Sequence, residues 1–329
     1  MQPFSLMGLA VGGLILLICL VSNLALGASD IPLAEVYRAF AAYDGSTEHL
    51  IIRTIRLPRS LIATFVGAAL AVAGAIMQGI TRNPLASPSI LGINAGASLA
   101  VVITTFVLND IGLSLYVWFA FFGAAVTAVM VYFLGALGRG GLTPINLTIA
   151  GAALTAFFTS LTNGVLIVSQ QTLDQIRFWL AGSLAGREIE LFWQVLPYFG
   201  IGLILALSLG RQLTMLSLGE DVAKGLGQRT LLVKISAAVS VMFLAGSSVA
   251  IAGPIGFIGL IVPHMTRALI GVDYRWLLPY AALFGSILLL LADLCARLLF
   301  QPQEIPVGLV MPLIGAPFFI HLVRSQVKR

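Results

Sequence analysis

Charge is what this chain has least of. Only 9% of its 329 residues are Asp, Glu, Lys or Arg, while 59% are hydrophobic. An ordinary soluble domain carries about 25% charged residues. A mean hydropathy of +1.03 excludes one here. Lysine is rarer still, with only Lys224, Lys234 and Lys328. None precedes Ser or Thr, so the chain has no G-x-x-x-x-G-K-[ST] loop to cradle nucleotide phosphates. It carries no nucleotide motor of that kind. His49, His264 and His321 are scattered and show no metal-ligand spacing. A G-x-S-x-G nucleophile elbow is also missing. These absences count against an intramembrane enzyme and against a free metal-ion permease, whose pathway would need clustered His, Asp or Glu. Cys19 and Cys295 are too few for a disulfide framework and read as small packing residues.

What is present is apolar length. A spanning helix needs about 20 mostly apolar residues. Ten segments qualify, at 6–27, 60–80, 90–108, 113–137, 145–169, 189–210, 231–253, 254–271, 276–299 and 305–323. The eighth is short and contains Pro263 and His264. Together they predict an all-α polytopic membrane protein, with residues 1–329 as one transmembrane domain. Residues 1–7 lack the basic start of a signal peptide, so the first segment reads as a retained span.

Lys and Arg in the loops set the orientation. With the N-terminus inside, ten spans return the C-terminus inside. Arg82, Arg139, Arg211, Lys224, Arg229, Lys234, Arg267, Arg275, Arg324, Lys328 and Arg329 then lie on the inner side, a majority of the 18 basic residues. Arg38, Arg53, Arg56, Arg59, Arg177, Arg187 and Arg297 lie outside, mostly beside acidic residues. The basic balance therefore reflects topology rather than nucleic-acid binding.

Two octets are alike. Gly67-Ala68-Ala69-Leu70-Ala71-Val72-Ala73-Gly74 and Gly246-Ser247-Ser248-Val249-Ala250-Ile251-Ala252-Gly253 share one pattern of small and aliphatic residues. Five spans separate them, so the two helices run in opposite directions. This predicts an inverted-topology repeat.

Four polar features stand out. Arg56-Leu57-Pro58-Arg59 opens the second span, where Pro58 is expected to hold Leu57 extended and let the arginines project. Arg297 would join them in an outer basic patch. Either carboxylate recognition or headgroup snorkelling fits such a patch. Arg297 also follows Asp293 at i+4, so the two can pair on one helical face. The second feature is Gln78 to Pro88, whose prolines and Asn83 predict a tight re-entry turn. Thr148, Thr155, Thr159 and Thr162 form the third, a stripe on one face of the fifth span bordered by Asn163. They suit either hydrogen bonding between helices or the lining of an aqueous pathway. The fourth is Leu218 to Gly227, which packs Glu220, Asp221, Lys224 and three glycines into ten residues. It is too polar for lipid and suits docking of a soluble protein.

The chain resembles the permease subunits of type II ABC importers for iron-siderophores, haem and vitamin B12. The likeness rests on Arg56-Leu57-Pro58-Arg59, on Gly67 through Pro88 with Leu91-Gly92, and on Leu218 to Gly227. It continues through Gly253-Pro254-Ile255-Gly256-Phe257-Ile258-Gly259-Leu260-Ile261-Val262-Pro263-His264, Glu304-Ile305-Pro306-Val307-Gly308 and Gly315-Ala316-Pro317-Phe318-Phe319. The resemblance implies the type II importer fold and a second permease subunit, identical or paralogous. It also implies two cytoplasmic ATPase subunits, which bind ATP and Mg, and an extracytoplasmic substrate-binding protein. This chain itself needs no cofactor and has no catalytic residue. Arg56, Arg59 and Arg297 are expected to meet the binding protein. Within a cytoplasmic segment at 211–230, Gly219, Glu220, Asp221, Ala223, Gly225, Leu226 and Gly227 are expected to couple to the ATPase. Thr155, Thr159, Thr162 and Asn163 are expected to line the pathway. The loops look closest to those of iron-siderophore and ferric-citrate importers. Vitamin B12 and haem are the alternatives by the same mechanism.

Overall fold

The computed structural model describes residues 2–27, 29–109, 112–138, 143–299 and 303–327, which leaves Arg139, Lys328 and Arg329 outside the described residues. Among the described residues every regular element is helical. Helix α1 (Gln2–Ala25) is followed by two short polar helices, α2 (Leu33–Ala41) and α3 (Thr47–Leu50). A π-helical run, Ile51–Arg56, leads unbroken into α4 (Leu57–Thr81). A 3-10 turn at Pro88–Leu91 precedes α5 (Ile93–Leu108), and α6 (Leu113–Leu137) and α7 (Pro144–Val168) follow. Next come α8 (Gln170–Leu180), α9 (Ile189–Ser208), α10 (Gly210–Ser217) and α11 (Glu220–Gly225). The chain closes with α12 (Thr230–Ala252), α13 (Ile258–Ile270), α14 (Tyr274–Leu298) and α15 (Val307–Val327).

Seven of these helices are long and apolar enough to cross a membrane, and α5, α13 and the described part of α15 are shorter apolar helices. Each of the ten expected segments thus holds one helix. At ~1.5 Å per residue, α5 and α13 span about 24 and 20 Å, less than the ~30 Å hydrocarbon layer. Irregular backbone makes up the difference before each, ending in Gly92 at φ 66° and Phe257 at φ 68°.

Pro58 acts differently from the extended geometry expected for Leu57. Leu57 is helical, at φ −64° and ψ −52°, and its N–H donates to the Ile52 carbonyl five residues back. The widened π-turn accommodates a proline ring that would clash with the carbonyl four residues earlier in a regular helix.

Helix α4 is the hub, with nearly all of its length after Arg56 buried. It packs on α14, α12, α13 and α9. Backbones touch where it crosses. A Cβ on Gly67 would lie 2.3 Å from the Gly285 carbonyl oxygen of α14, and one on Gly74 would lie 2.1 Å from that of Gly259 in α13. Small residues are the means by which helices approach closely without a hydrophobic drive between them.

Helix contacts follow the inverted repeat. The pairs α4–α14, α5–α6, α5–α7, α6–α7 and α4–α13 have counterparts five spans on: α12–α6, α13–α14, α13–α15, α14–α15 and α12–α5. Gly67 of α4, which faces α14, corresponds to Gly246 of α12, which faces Phe121 and Ala124 of α6 with room for a Cβ at 3.4 Å. Of the two cysteines, Cys19 joins the core, whereas Cys295 is exposed on the helix surface rather than packed.

Outside the spans, α2, α3 and the π-run form a small cap over the end of α1. Leu24, Ala25, Ile31, Val36, Ala39 and Ile52 give it a core of its own. His49, buried beneath it, sits 2.8 Å from Asp44 and 3.4 Å from Glu35.

Candidate functional site

Helices α4 and α14 connect two polar ends. At one end stand Arg56, Arg59 and Arg297, which do not project as the sequence suggested. They are 5%, 6% and 4% exposed. Arg59 grips both oxygens of Asp293 through Nε, at 3.0 Å each, and through Nη2 at 2.9 Å. Its Nη1 donates to Glu304 at 2.6 Å. Arg297 approaches Asp293 at 3.4 Å on the expected i+4 face and also donates to Asn23. Arg56 donates to the carbonyls of Leu24, Ala25 and Ser29 at the end of α1. In a low-dielectric interior a guanidinium must be paired, and three of them here share one buried carboxylate, one half-exposed carboxylate and backbone oxygens. Arg59 and Glu304 open into a cleft of about 310 Å³ that Phe178, Ser183 and Pro306 also line. Arg59 therefore meets this cleft paired with Glu304 rather than as a projecting arm.

At the opposite end lie α10 and α11. Leu213 and Leu216 bury the inner face of α10. Its Thr214 hydroxyl is 3.2 Å from Asp273, and the Tyr274 N–H donates to Thr214 at 2.9 Å, tying α10 to the start of α14. Arg275 hydrogen-bonds Asp273 and holds its carboxyl below the usual carboxylate range. Gly219, at φ 133°, turns the chain into α11. Glu220 then reaches Lys234 of α12 at 2.7 Å and Thr230 at 3.3 Å, with Lys224 at 3.3 Å. Lys234 holds the Glu220 carboxyl below its ordinary range. Of the residues expected to contact a partner, Ala223 is fully buried and Glu220 serves as an anchor. Asp221, Gly225, Leu226 and Gly227 face outward. Leu218, Val222 and Leu226 are exposed on and beside α11, 65%, 48% and 63% respectively. Exposed apolar side chains stand there beside the charges of Asp221 and Lys224.

The threonine stripe divides. Thr148 is exposed and its hydroxyl donates to the Pro144 carbonyl within α7. Thr155, Thr159, Thr162 and Asn163 line a cleft of about 310 Å³ with Asn94 and Ser98 of α5. The Thr162 hydroxyl is buried there without a hydrogen-bond partner. Asn94 and Ser98 were not picked out from the sequence. Their i, i+4 spacing on the third span was the available signal.

Glu304, Asn23 and Lys234 also contribute, and no sequence spacing links them to Arg59, Arg297 or Glu220. Gln78 and Arg267 pair between α4 and α13, closing the bundle near the re-entry turn. Among the described residues, no three of His, Cys, Asp and Glu gather as a metal-holding group.

A bundle of seven long and three shorter apolar helices among the described residues, with a cleft lined by Arg59 and Glu304 at one end, the exposed polar α11 segment at the other and a polar cleft beside α5 and α7, is the architecture of a polytopic membrane permease. A model of the FecCD transport family matches residues 15–325, and the chain belongs to that family. It is 50% identical over 314 residues to the Bacillus subtilis (strain 168) protein named probable siderophore transport system permease YfiZ, covering 95% of this chain and 94% of that one. It is 42% identical over 322 residues to the ferric enterobactin transport system permease FepD of Escherichia coli (strain K12), covering 97% and 96%. A solved chain from a transporter assigned to the metal-chelate ABC type, in an inward-facing conformation, superposes with a TM-score of 0.84 at 32% identity. That match covers 96% of this chain and 98% of the other.

Proposed function

We propose that the chain is the membrane permease of an ATP-driven importer for a ferric siderophore delivered by an extracytoplasmic binding protein. The observation that carries this reading is the separation of the two polar ends on a rigid α4–α14 pair. One end holds the buried arginines, with Arg59 at a cleft, and the other holds the exposed α11 segment. The names of the relatives support the cargo.

In this reading the binding protein docks over Arg56, Arg59 and Arg297. The segment 211–230 seats on two cytoplasmic ATPase subunits, which bind the ATP and Mg. A second permease subunit, identical or paralogous, completes the pathway. Both termini are cytoplasmic. Closure of the ATPase pair pushes α11, and the Glu220–Lys234 anchor passes that movement to α12. Close backbone crossings at Gly67 and Gly74 make the bundle tilt as a body instead of bending. The cleft of Thr155, Thr159, Thr162 and Asn163 offers neutral hydroxyls and an amide, which hydrate a bulky chelate without holding it tightly. The chain performs no covalent chemistry.

Uptake into vesicles holding the permease, its ATPase and its binding protein tests this. Ferric siderophore should accumulate only with ATP, ahead of haem and vitamin B12. ATP-independent entry of free metal would overturn the reading.

A further inference from the structure

The other arginines at the cleft end are already engaged among the described residues. Arg38 pairs with Glu35 at 2.8 Å, and Arg177 with Asp174 at 3.7 Å. Arg53 donates to the Ala39 carbonyl and lies over the Tyr43 ring. Arg56, Arg59 and Arg297 are tied into the buried network. Arg187, between α8 and α9, differs from all of them. No ion pair or hydrogen bond joins it to a described residue, and its Nε is buried without a partner.

The loop that carries Arg187 is held in place. The Ser183 N–H donates to the Ala252 carbonyl at the end of α12, and the Gly308 N–H of α15 donates to the Gly182 carbonyl, both at 2.9 Å. Ala185 and Gly186 then wall the cleft of Arg59 and Glu304. Gly186, at φ 68°, turns the chain into Arg187, which stands half-buried at the rim of that cleft. Tyr116 of α6 is the described ionisable group that acts on it, and a phenol is neutral at neutral pH. Burial without a counter-charge pushes the guanidinium down to about 10. Glu188 and Glu190 follow in the chain but face solvent. A desolvated cation with no partner is costly to the chain alone. A carboxylate offsets that cost best, because the planar guanidinium fork grips it with two hydrogen bonds. A protein seated over the cleft reaches this rim.

We infer that Arg187 is a docking residue, taking a carboxylate from an Asp or Glu of the binding protein when that protein seats over the Arg59–Glu304 cleft. The inference rests on the proposed function, which supplies the binding protein. Among the described residues, Arg187 is the arginine at this end whose charge is not already neutralised inside the chain.

The test measures binding-protein affinity by biolayer interferometry, on the full-length permease with its ATPase in nanodiscs. Arg187→Gln should weaken association about tenfold, the loss of one charge-assisted pair, and should flatten its salt dependence. Arg187→Lys, which keeps the charge but not the fork, should weaken it about threefold. The unfolding midpoint of Arg187→Gln should hold or rise, because an unpaired buried charge has gone. A lowered midpoint would mean that Arg187 serves the fold, and would overturn the inference. Equal affinity of Arg187→Gln and the unaltered chain would overturn it too, and leave the proposed function standing. Anionic lipid lost from Arg187→Gln with affinity unchanged would assign the arginine to a lipid phosphate instead, again overturning it. No association even of the unaltered chain would overturn the proposed function, and this contact with it.

Discussion

The two polar ends of this bundle handle charge in opposite ways. At the arginine end, Arg59, Arg297 and Asp293 are almost wholly buried, and the key bond joins residues 234 apart in the chain. At the α11 end, Glu220, Lys224 and Lys234 lie within fifteen residues, and two of the three are at least one-third exposed. Breaking a buried pair strands a desolvated charge, whereas an exposed pair contributes about 0–1 kcal/mol. The first end is therefore part of what holds α4 and α14 together. The second is a local clasp between α11 and the start of α12. Any role in docking at the arginine end is superimposed on a structural one, and its tests need a folding control.

Asp293→Ala breaks the comparison hardest. It leaves Arg59 and Arg297 without their shared counter-charge and should cost ~3–5 kcal/mol. Thermal unfolding in detergent should show a large loss, while Glu220→Ala should shift the midpoint little. Equal effects would remove the distinction between the ends.

Glu304→Gln is smaller and sharper. Glu304 is 42% exposed, so its loss frees Arg59 Nη1 at the cleft without burying a charge. Affinity for the binding protein should rise severalfold, by titration calorimetry, with unfolding unchanged. A fall would mean that Glu304 itself belongs to the docking surface.

The smallest effect is on pH. Glu220 has a folded carboxyl below its ordinary value of 4.5 because Lys234 holds it. Its clasp is complete above that ordinary value and is lost as pH falls through the lower folded one. A spin label at Leu226→Cys should therefore gain mobility only in acid, and Lys234→Gln should move the transition upward.

Much of this architecture is legible in the sequence, for clear reasons. Apolar runs of about 20 residues have one use, so each of the ten segments holds an apolar helix, seven of them long enough to span. The repeat was visible because both octets share one run of small residues, although only the Gly67 crossing demands a glycine, since a Cβ on Gly246 would meet Phe121 at an ordinary 3.4 Å. Less legible were α2, α3 and α8, which carry no long apolar run and owe their order to packing on the spans. The burial of the arginines was the main misreading. Arg297 and Asp293 are close in sequence and were paired correctly. Arg59 meets the same carboxylate across two helices, and no spacing encodes that contact. Pro58 was read through its usual effect on the preceding residue, and the π-turn that relieves it has no sequence signature of its own. For the polar cleft, α7 supplied a visible stripe, while Asn94 and Ser98 of α5 are too sparse to stand out.

The central claim is that the two ends serve different partners. One pull-down tests it directly, using the permease with both its ATPase and its binding protein. Glu220→Arg should lose the ATPase and keep the binding protein. Arg59→Gln, with Arg297 still pairing Asp293, should keep the ATPase and lose the binding protein. If either variant loses both partners while its unfolding midpoint is unchanged, or if the losses are exchanged, the account is contradicted.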